Sequence, residues 1–599
     1  MPFADSRRLT GSNLFFASAG AVLDVVRVAV DETLIAAWRA RVERAGAHLG
    51  WVDRHTAVRA HAGGVLLAIS APGDQLLLAT EVNEWALCAA LVERDPKSWA
   101  GLDESLIAAA LDSADDGTNP AVEFAPVIEE TAALARFRRL ASLEAVPGML
   151  ELLDVAAARA LPHFIDDAQL TLGAGVGSRS FSLRKLPSIS EVSWDGLSDI
   201  PTAIVTGSNG KTTTVRLVAA CARAQGWRDG YNCTDGVFIG GEAVAYGDYS
   251  GPAGARLVLR DRRTQAAILE AARGGILRRG LAVARADAAV VTNISSDHFG
   301  EYGIDDLAGL ADVKLSVAAV VAAGGRLILN ADDALLRMKS SELARRYGRC
   351  PALAWFALDA DQSHLRKFRA QGASTCGVRQ GRLYLHHLGG EHDFGAVSAM
   401  PLSIGGIAAY NIANLAGAAL AAITLGIPAA LIAAVFARFG ARMSDNPGRM
   451  MRFEFNGAHV LIDYAHNPDG LRGFLSVANQ LRGSSSRLGL LLGHAGNRKD
   501  ADIAELARVA AGFKPELVVV KEDEAHLRGR AAGEVPRIIR EELLRLGLAE
   551  SALPVRGTEL EAAQYALQWA QRGDVLALPL HSPGARAAVV AMLERKPLS

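Results

Sequence analysis

A glycine-rich run, Thr206-Gly207-Ser208-Asn209-Gly210-Lys211-Thr212-Thr213-Thr214, follows the short apolar stretch Ala203 to Val205 and opens a helix-like segment reaching about Ala224. Phosphate chemistry asks for these residue types in this order. Glycines let backbone N–H groups close on phosphate oxygens, and a helix N-terminus adds the positive end of its dipole. Lys211 would reach the β- and γ-phosphates of ATP, and the Thr212 hydroxyl would bind Mg²⁺. Gly207, Ser208, Asn209, Gly210 and Thr213 would complete the cradle. The general P-loop pattern also wants glycine at position 205, where this chain has Val205, so the loop is the shorter G-x-x-G-K-T form.

A bound triphosphate needs metal ligands. Glu270 closes the apolar run that contains Ile268 and Leu269, and Asp297-His298 closes the next such run. A carboxylate at a strand end beside a phosphate loop suits a magnesium ligand or a water-orienting group. Alone, Glu270 reads as a surface residue and His298 as a hydrogen-bonded structural histidine; three strand ends aimed at one crevice change that weighting. Lys314 lies in the helix-like stretch Leu307 to Val321, and composition gives no reason to single it out. Farther on, Pro447-Gly448-Arg449-Met450 offers a guanidinium fork that matches phosphate oxygens. In Leu461-Ile462-Asp463-Tyr464-Ala465-His466-Asn467-Pro468, Asp463 could hold a ribose hydroxyl and His466 could face the γ-phosphate.

The elements that must position these groups fall into three parts. From Pro201 onward short apolar strands (Ala203 to Val205, Ala288 to Val291, Leu327 to Leu329) alternate with helical stretches, and each strand ends in a polar cluster. That is the pattern of βα units in a parallel sheet, with ligands at the carboxyl ends of the strands. A second series follows at Val460 to Ile462, Gly489 to Leu492, Leu517 to Val520 and Val575 to Leu578. The turn-forming run Ser444 to Gly448 separates the two. The expectation is an α/β multidomain chain: a central P-loop domain over 199–445 and a Rossmann-like C-terminal domain over 446–599. Residues 1–165 mix strand-like runs (Val22 to Val30, Gly64 to Ile69) with helix-like ones (Leu34 to Ala47, Glu129 to Leu143) and read as an α+β domain. Residues 166–198 read as a linker, with Gly173 to Gly177 as a glycine hairpin.

Composition narrows the function classes. A formal net charge of -2 and 21% charged residues give no field that would attract nucleic acid or an anionic membrane. No run of about 18 uncharged apolar residues suggests a membrane span. The five cysteines are scattered, with no C-x-x-C pair, which fits a reducing, cytoplasmic setting. Ser6-Arg7-Arg8-Leu9 reads as the start of a strand and not as an export signal, because the apolar run after it is short and Asp24 and Arg27 follow.

The motifs taken together resemble the Mur ligase family. Gly207 to Thr213, Glu270, His298, Tyr410-Asn411-Ile412-Ala413-Asn414, Arg449 and Asp463 to Pro468 occur in Mur ligase order across residues 199–599. Within the superfamily the sequence is most similar to cyanophycin synthetase. The likeness lies in Gly247 to Ala255, Leu269 to Arg278, Leu527-Arg528-Gly529-Arg530 and the opening Arg8 to Leu14. The resemblance implies an ATP- and Mg²⁺-dependent ligase that forms an amide through an acyl phosphate. Lys211 and Thr212 would bind phosphate and magnesium, and Glu270 and His298 would hold magnesium. Lys314 matches the lysine that Mur ligases carbamylate, and would then bind a second magnesium. Asn411 and Asn414 would help hold nucleotide, and Arg449, Asp463 and His466 would complete the site from a mobile C-terminal domain.

The partners implied are an amino acid, arginine or another basic one, and a carboxylate-bearing peptide or small molecule; self-association stays open. Arg528 or Arg530 could clamp the α-carboxylate of the amino acid, since both follow an apolar strand that ends in acids. The ATP-grasp module that cyanophycin synthetase carries between its N-terminal and Mur-like parts has no counterpart ahead of Pro201. This leaves a second reading, a non-catalytic or regulatory paralogue that partners a full synthetase. A third, a P-loop kinase or simple NTPase, is disfavoured by Asp463 to Pro468.

Overall fold

The computed structural model describes residues 1–99, 128–296, 299–522 and 527–594. The N-terminal part is a four-stranded antiparallel sheet, β1 (Phe3–Leu9), β2 (Gly20–Val26), β3 (Thr56–His61) and β4 (Gly64–Ser70), in spatial order β1-β2-β4-β3. Side chains alternate across β2. Ala21, Leu23 and Val25 enter a core with Trp38, Trp85 and Phe137 from the covering helices, while Val22 joins Leu9, Leu66 and Ala68 on the other face. Asp31 starts the helix Glu32–His48 by accepting from Leu34 N at 2.8 Å.

Ser6-Arg7-Arg8-Leu9 lies in β1, as the strand reading requires. Arg7 Nε donates to Leu277 O at 2.9 Å, and Thr10 N to Arg279 O at 2.8 Å. A Cβ at Gly11 would sit 2.3 Å from Leu281 O, so only glycine lets the two chains approach this closely. The N-terminal sheet is thereby docked on the segment that follows Glu270.

Residues 166–198 are more than a linker. Two of the three strands of a small antiparallel sheet, β5 (His163–Ile165), β6 (Gln169–Leu172) and β7 (Arg179–Ser182), fall within them. Leu170 and Leu172 pack with Met149, Leu152 and Ala156 of the helix Met149–Ala158. The Gly173 to Gly177 run connects β6 to β7, as a hairpin should.

The central sheet has eleven strands: β8 (Thr202–Thr206), β9 (Asp229–Cys233), β10 (Gly236–Ile239), β11 (Glu242–Tyr246), β12 (Ala266–Glu270), β13 (Ala286–Val291), β14 (Val321–Asn330), β15 (Leu353–Asp359), β16 (Thr375–Arg379), β17 (Arg382–His387) and β18 (Gly390–Ala396). In space they run β11-β10-β9-β12-β8-β13-β14-β15-β16-β17-β18, parallel from β9 to β16, with antiparallel hairpins at both edges. Ala203, Val205, Ile268 and Val290 face the helices Lys211–Ala224 and Ala409–Thr424. Ile204, Leu269, Val291 and Leu329 face Pro252–Arg260 and Leu307–Lys314. Both faces are covered, which is why these strands read as continuous apolar runs.

The C-terminal sheet is β19 (Met451–Phe455), β20 (Ala458–Asp463), β21 (Leu488–Leu492), β22 (Leu517–Lys521), β23 (Val555–Arg556) and β24 (Val575–Pro579), in order β19-β20-β24-β21-β22-β23. Only β19 is antiparallel to its neighbour. Because β24 separates β20 from β21, the order reverses there, and a crevice opens at the strands' carboxyl ends. That crevice faces the ends of β8, β12 and β13. Among the described residues no helix is long and apolar enough to cross a membrane.

Candidate nucleotide-binding active site

β8 delivers the chain to the phosphate loop, which turns through Gly207 (φ 141°) and Gly210 (φ 83°) into the helix Lys211–Ala224. A Cβ at Gly207 would lie 1.8 Å from Thr292 Oγ1, and one at Gly210 2.2 Å from Asn414 Oδ1. Both backbone angle and space therefore demand glycine. The end of β13 holds the loop from the side: Asn293 accepts from Ser208 N through its carbonyl and from Asn209 N through its Oδ1, each at 2.9 Å. Lys211 Nζ donates to the carbonyls of Gly207 and Ser208 at 3.0 Å, and the buried Lys314 donates to the same Gly207 carbonyl at 2.7 Å.

Glu270 ends β12 only 1% exposed. Its Oε2 accepts from Thr212 Oγ1 at 2.8 Å and its Oε1 from Thr234 Oγ1 at 3.3 Å. Burial raises the Glu270 carboxyl above its ordinary range, against the opposing pull of Lys211, the Thr212 hydroxyl and Arg449. A hydroxyl and a carboxylate side by side at a helix N-terminus are the hard oxygen donors Mg²⁺ takes, so these two residues fit the metal. Lys314 as an ammonium cannot ligate a cation; only its carbamate, with oxygen donors, would. His298 lies outside the described residues.

The C-terminal domain reaches the same loop. Arg449 Nη2 lies 3.4 Å from Thr212 Oγ1, and its guanidinium stacks 4.3 Å above the Tyr464 ring, with Nε lacking a partner among the described residues. Asn446 Nδ2 donates to Thr213 Oγ1 at 3.2 Å, and Asn467 Nδ2 to Asn209 Oδ1 at 3.0 Å. Asp463 accepts from Met450 N at 2.7 Å; burial raises its carboxyl, and Arg449 opposes that. His466 Nδ1 is 3.1 Å from Tyr464 O. Lys211, Thr212, Glu270, Asn293, Lys314, Arg449, Asp463 and His466 line one cleft of about 2160 Å³, to which the N-terminal sheet contributes Asp5, Arg7, Arg8 and Asp24.

The structure thus gathers Gly207 to Thr213, Glu270, Lys314, Arg449, Asp463 and His466 around one loop. Asn411 and Asn414 are there too, but behind it. Asn411 Nδ2 donates to Leu402 O at 3.0 Å and Asn414 Nδ2 to Asn411 Oδ1 at 3.2 Å, so they buttress Gly210. Arg528 and Arg530 part company. Arg528 is exposed on the cleft wall. Arg530 donates to Gly496 O at 2.8 Å, Arg498 O at 2.7 Å, Asp500 at 2.6 Å and Glu534 at 2.5 Å. That leaves its fork committed to the protein and not to a substrate carboxylate, which corrects the expectation for Arg530.

Sequence reasoning passed over Asn293, although it stands in the polar cluster after β13, where strand-end logic points. It also missed Arg216, 4% exposed, whose guanidinium meets Asp235 at 2.7 Å and Pro447 O at 3.0 Å. Arg586 of the last helix reaches the other oxygen of Asp235 at 3.1 Å. An arginine on the apolar face of the helix Lys211–Ala224 was the available signal.

A phosphate loop, a buried carboxylate on its threonine, and an arginine supplied by a second α/β domain define a nucleotide-dependent enzyme of the two-lobed P-loop type. Residues 205–422 match the Mur ligase middle domain and residues 448–578 the Mur ligase, glutamate ligase domain. The chain is 30% identical over 382 residues to UDP-N-acetylmuramoyl-L-alanyl-D-glutamate--2,6-diaminopimelate ligase of Xanthomonas campestris, covering 62% of this chain and 70% of that protein. It belongs to the Mur ligase family. It is also 36% identical over 354 residues to cyanophycin synthetase of Synechocystis sp., covering 58% of this chain but 39% of that protein. The chain thus spans about two fifths of the length of these relatives. Among solved structures, E. coli FolC in complex with ADP aligns with a TM-score of 0.46 and 15% identity, over 66% of this chain and 89% of that one.

Proposed function

We propose that the chain joins an amino acid, arginine or another basic one, to a side-chain carboxylate of an aspartate-containing peptide or related acceptor. A carboxylate is a poor electrophile. One of its oxygens attacks the γ-phosphorus of ATP and ADP leaves; the amine then attacks the acyl carbon, phosphate leaves, and the amine's proton passes to solvent or a base. Lys211 and Arg449 bring positive charge to the transferring phosphoryl group from opposite domains. Thr212 and Glu270 would hold Mg²⁺, which neutralises charge developing on the phosphate oxygens. A carbamylated Lys314 and His298 would add metal ligands, and Asp463 would hold the ribose. The named relatives that synthesise cyanophycin support the choice of substrate class.

One observation carries the reading: Thr212 Oγ1 is touched both by buried Glu270, at 2.8 Å, and by Arg449 of the other domain, at 3.4 Å. The test is ATP-dependent phosphate release across an amino-acid panel, with and without short aspartate peptides, and mass spectrometry of the product. Release that needs both partners, with a product lighter by one water than their sum, is expected. Release that needs neither overturns the ligase reading.

A further inference from the structure

Beside the Arg449 clamp lies a chain of hydrogen-bonded groups that runs from the interior of the C-terminal domain to His581 at the wall of the cleft. Lys521, the last residue of β22, has a side chain with 0% exposure. Its Nζ pairs with Glu559 and donates to Pro579 O at 2.6 Å. Glu559 opens the helix Glu559–Trp569, and its carboxylate accepts from His581 N at 3.0 Å and Ser582 N at 2.8 Å. It thereby fixes the turn that leaves β24. His581 Nε2 lies 3.2 Å from the carbonyl of Ala465, which can only accept, so that nitrogen carries the proton. The link joins the turn after β24 to the turn after β20. The His581 ring meets the Tyr464 ring edge-on at 5.1 Å and 77°, and the Arg449 guanidinium lies on Tyr464 at 4.3 Å.

A buried ion pair is a poor way to gain stability, since well-packed apolar residues of similar volume do as well or better. Two strand ends and a helix start are nonetheless committed to this one. What the network does secure is geometry. It holds two turns together, and with them the aromatic face against which Arg449 is aimed at Thr212. A free arginine side chain would have to give up rotamer freedom each time nucleotide binds.

We propose that His581, held by the Lys521–Glu559 pair, is a positioning residue that orients Arg449 through Tyr464 toward the nucleotide phosphates. The inference rests on the proposed site, in which Arg449 meets phosphate. Its consequence is energetic coupling: His581 matters to nucleotide binding only while Arg449 is present.

The experiment is a double-mutant cycle on binding of Mg²⁺ and a non-hydrolysable ATP analogue to the full chain, read by calorimetry, with thermal midpoints for every variant. His581→Ala is expected to weaken binding about tenfold, as Arg449→Ala does, and to cost less than a further twofold when added to Arg449→Ala. A purely structural histidine would lower the thermal midpoint and weaken binding by the same factor in both backgrounds. Equal factors overturn the proposal, and so does unchanged binding by His581→Ala. Should His581→Ala not fold, the cycle is run with His581→Gln, which keeps a donor for the Ala465 carbonyl but not the ring. Loss of binding confined to the Arg449 background again supports the proposal, and equal factors or unchanged binding again overturn it. Analogue binding by the unsubstituted chain and its loss in Lys211→Ala judge the underlying nucleotide site separately.

Discussion

Asn467, which caps the first helix of the C-terminal domain, donates through Nδ2 to Oδ1 of Asn209 in the phosphate loop at 3.0 Å. The same Asn467 uses its own Oδ1 to accept from Gly470 N at 2.8 Å. One side chain thus both starts a helix in one domain and touches the nucleotide loop of the other. A motion that opens the cleft must break this contact along with the Arg449–Thr212 one.

Closure is therefore expected to follow nucleotide. Phosphate ligands come from both lobes, and such sites are usually completed by hinge motion. The hinge should lie near Ser444 to Gly448, where Asn446 and Pro447 rest on Thr213 and Arg216 of the helix after the phosphate loop. Small-angle scattering should show a smaller radius of gyration with a non-hydrolysable analogue, Mg²⁺ and acceptor than without; superimposable curves refute closure.

Lys211→Ala and Glu270→Ala should each cut ATP turnover 100-fold or more, roughly 3 kcal/mol of transition-state stabilisation, with secondary structure unchanged. Phosphate release and circular dichroism on the same preparations check this. Near-normal release by folded Lys211→Ala contradicts the assigned phosphate loop.

Arg528 and Arg530 should separate by readout. Arg530→Ala strands the Gly496 and Arg498 carbonyls and should destabilise by about 1–3 kcal/mol, seen as a lower thermal midpoint. Arg528→Ala should leave that midpoint in place and raise KM for the preferred amino acid. The reverse pattern would put the amine site on the wrong arginine.

The N-terminal domain should lose stability as pH rises through Glu84. Burial in the helix Leu76–Arg94 pushes this carboxyl up to about 7. A folded-state value above the unfolded one means the folded chain holds the proton more tightly. The stabilisation from the neutral form is complete below about 4.5 and disappears as pH climbs to about 7. Glu84→Gln, neutral at every pH, should gain up to about 3 kcal/mol over the parent at pH 8 and little at pH 4.5. Thermal midpoints of the two proteins across that range check it; a constant difference contradicts it.

The sequence alone determined what is local. Gly207 to Thr213 is one unbroken strand–loop–helix, so residue type and order suffice to read a phosphate cradle, and the glycines are dictated by backbone geometry. The apolar runs of β8, β12, β13, β20, β21, β22 and β24 were legible because strands buried on both faces must be apolar throughout. Residues 166–198 were not, since β6 and β7 have four residues each and are too short to show alternation. The tertiary structure alone decided the partners. Thr212 and Arg449 stand 237 positions apart, and Asn209 and Asn467 stand 258 apart. Nothing in local patterning says which strand ends of one sheet will face those of another; that follows from how the two sheets pack. The same holds for Arg530, whose charge suggests a substrate clamp until its acceptors are seen, and for Lys521 and His581. Periodicity reports that a position is buried, but only the folded chain says what it is buried against.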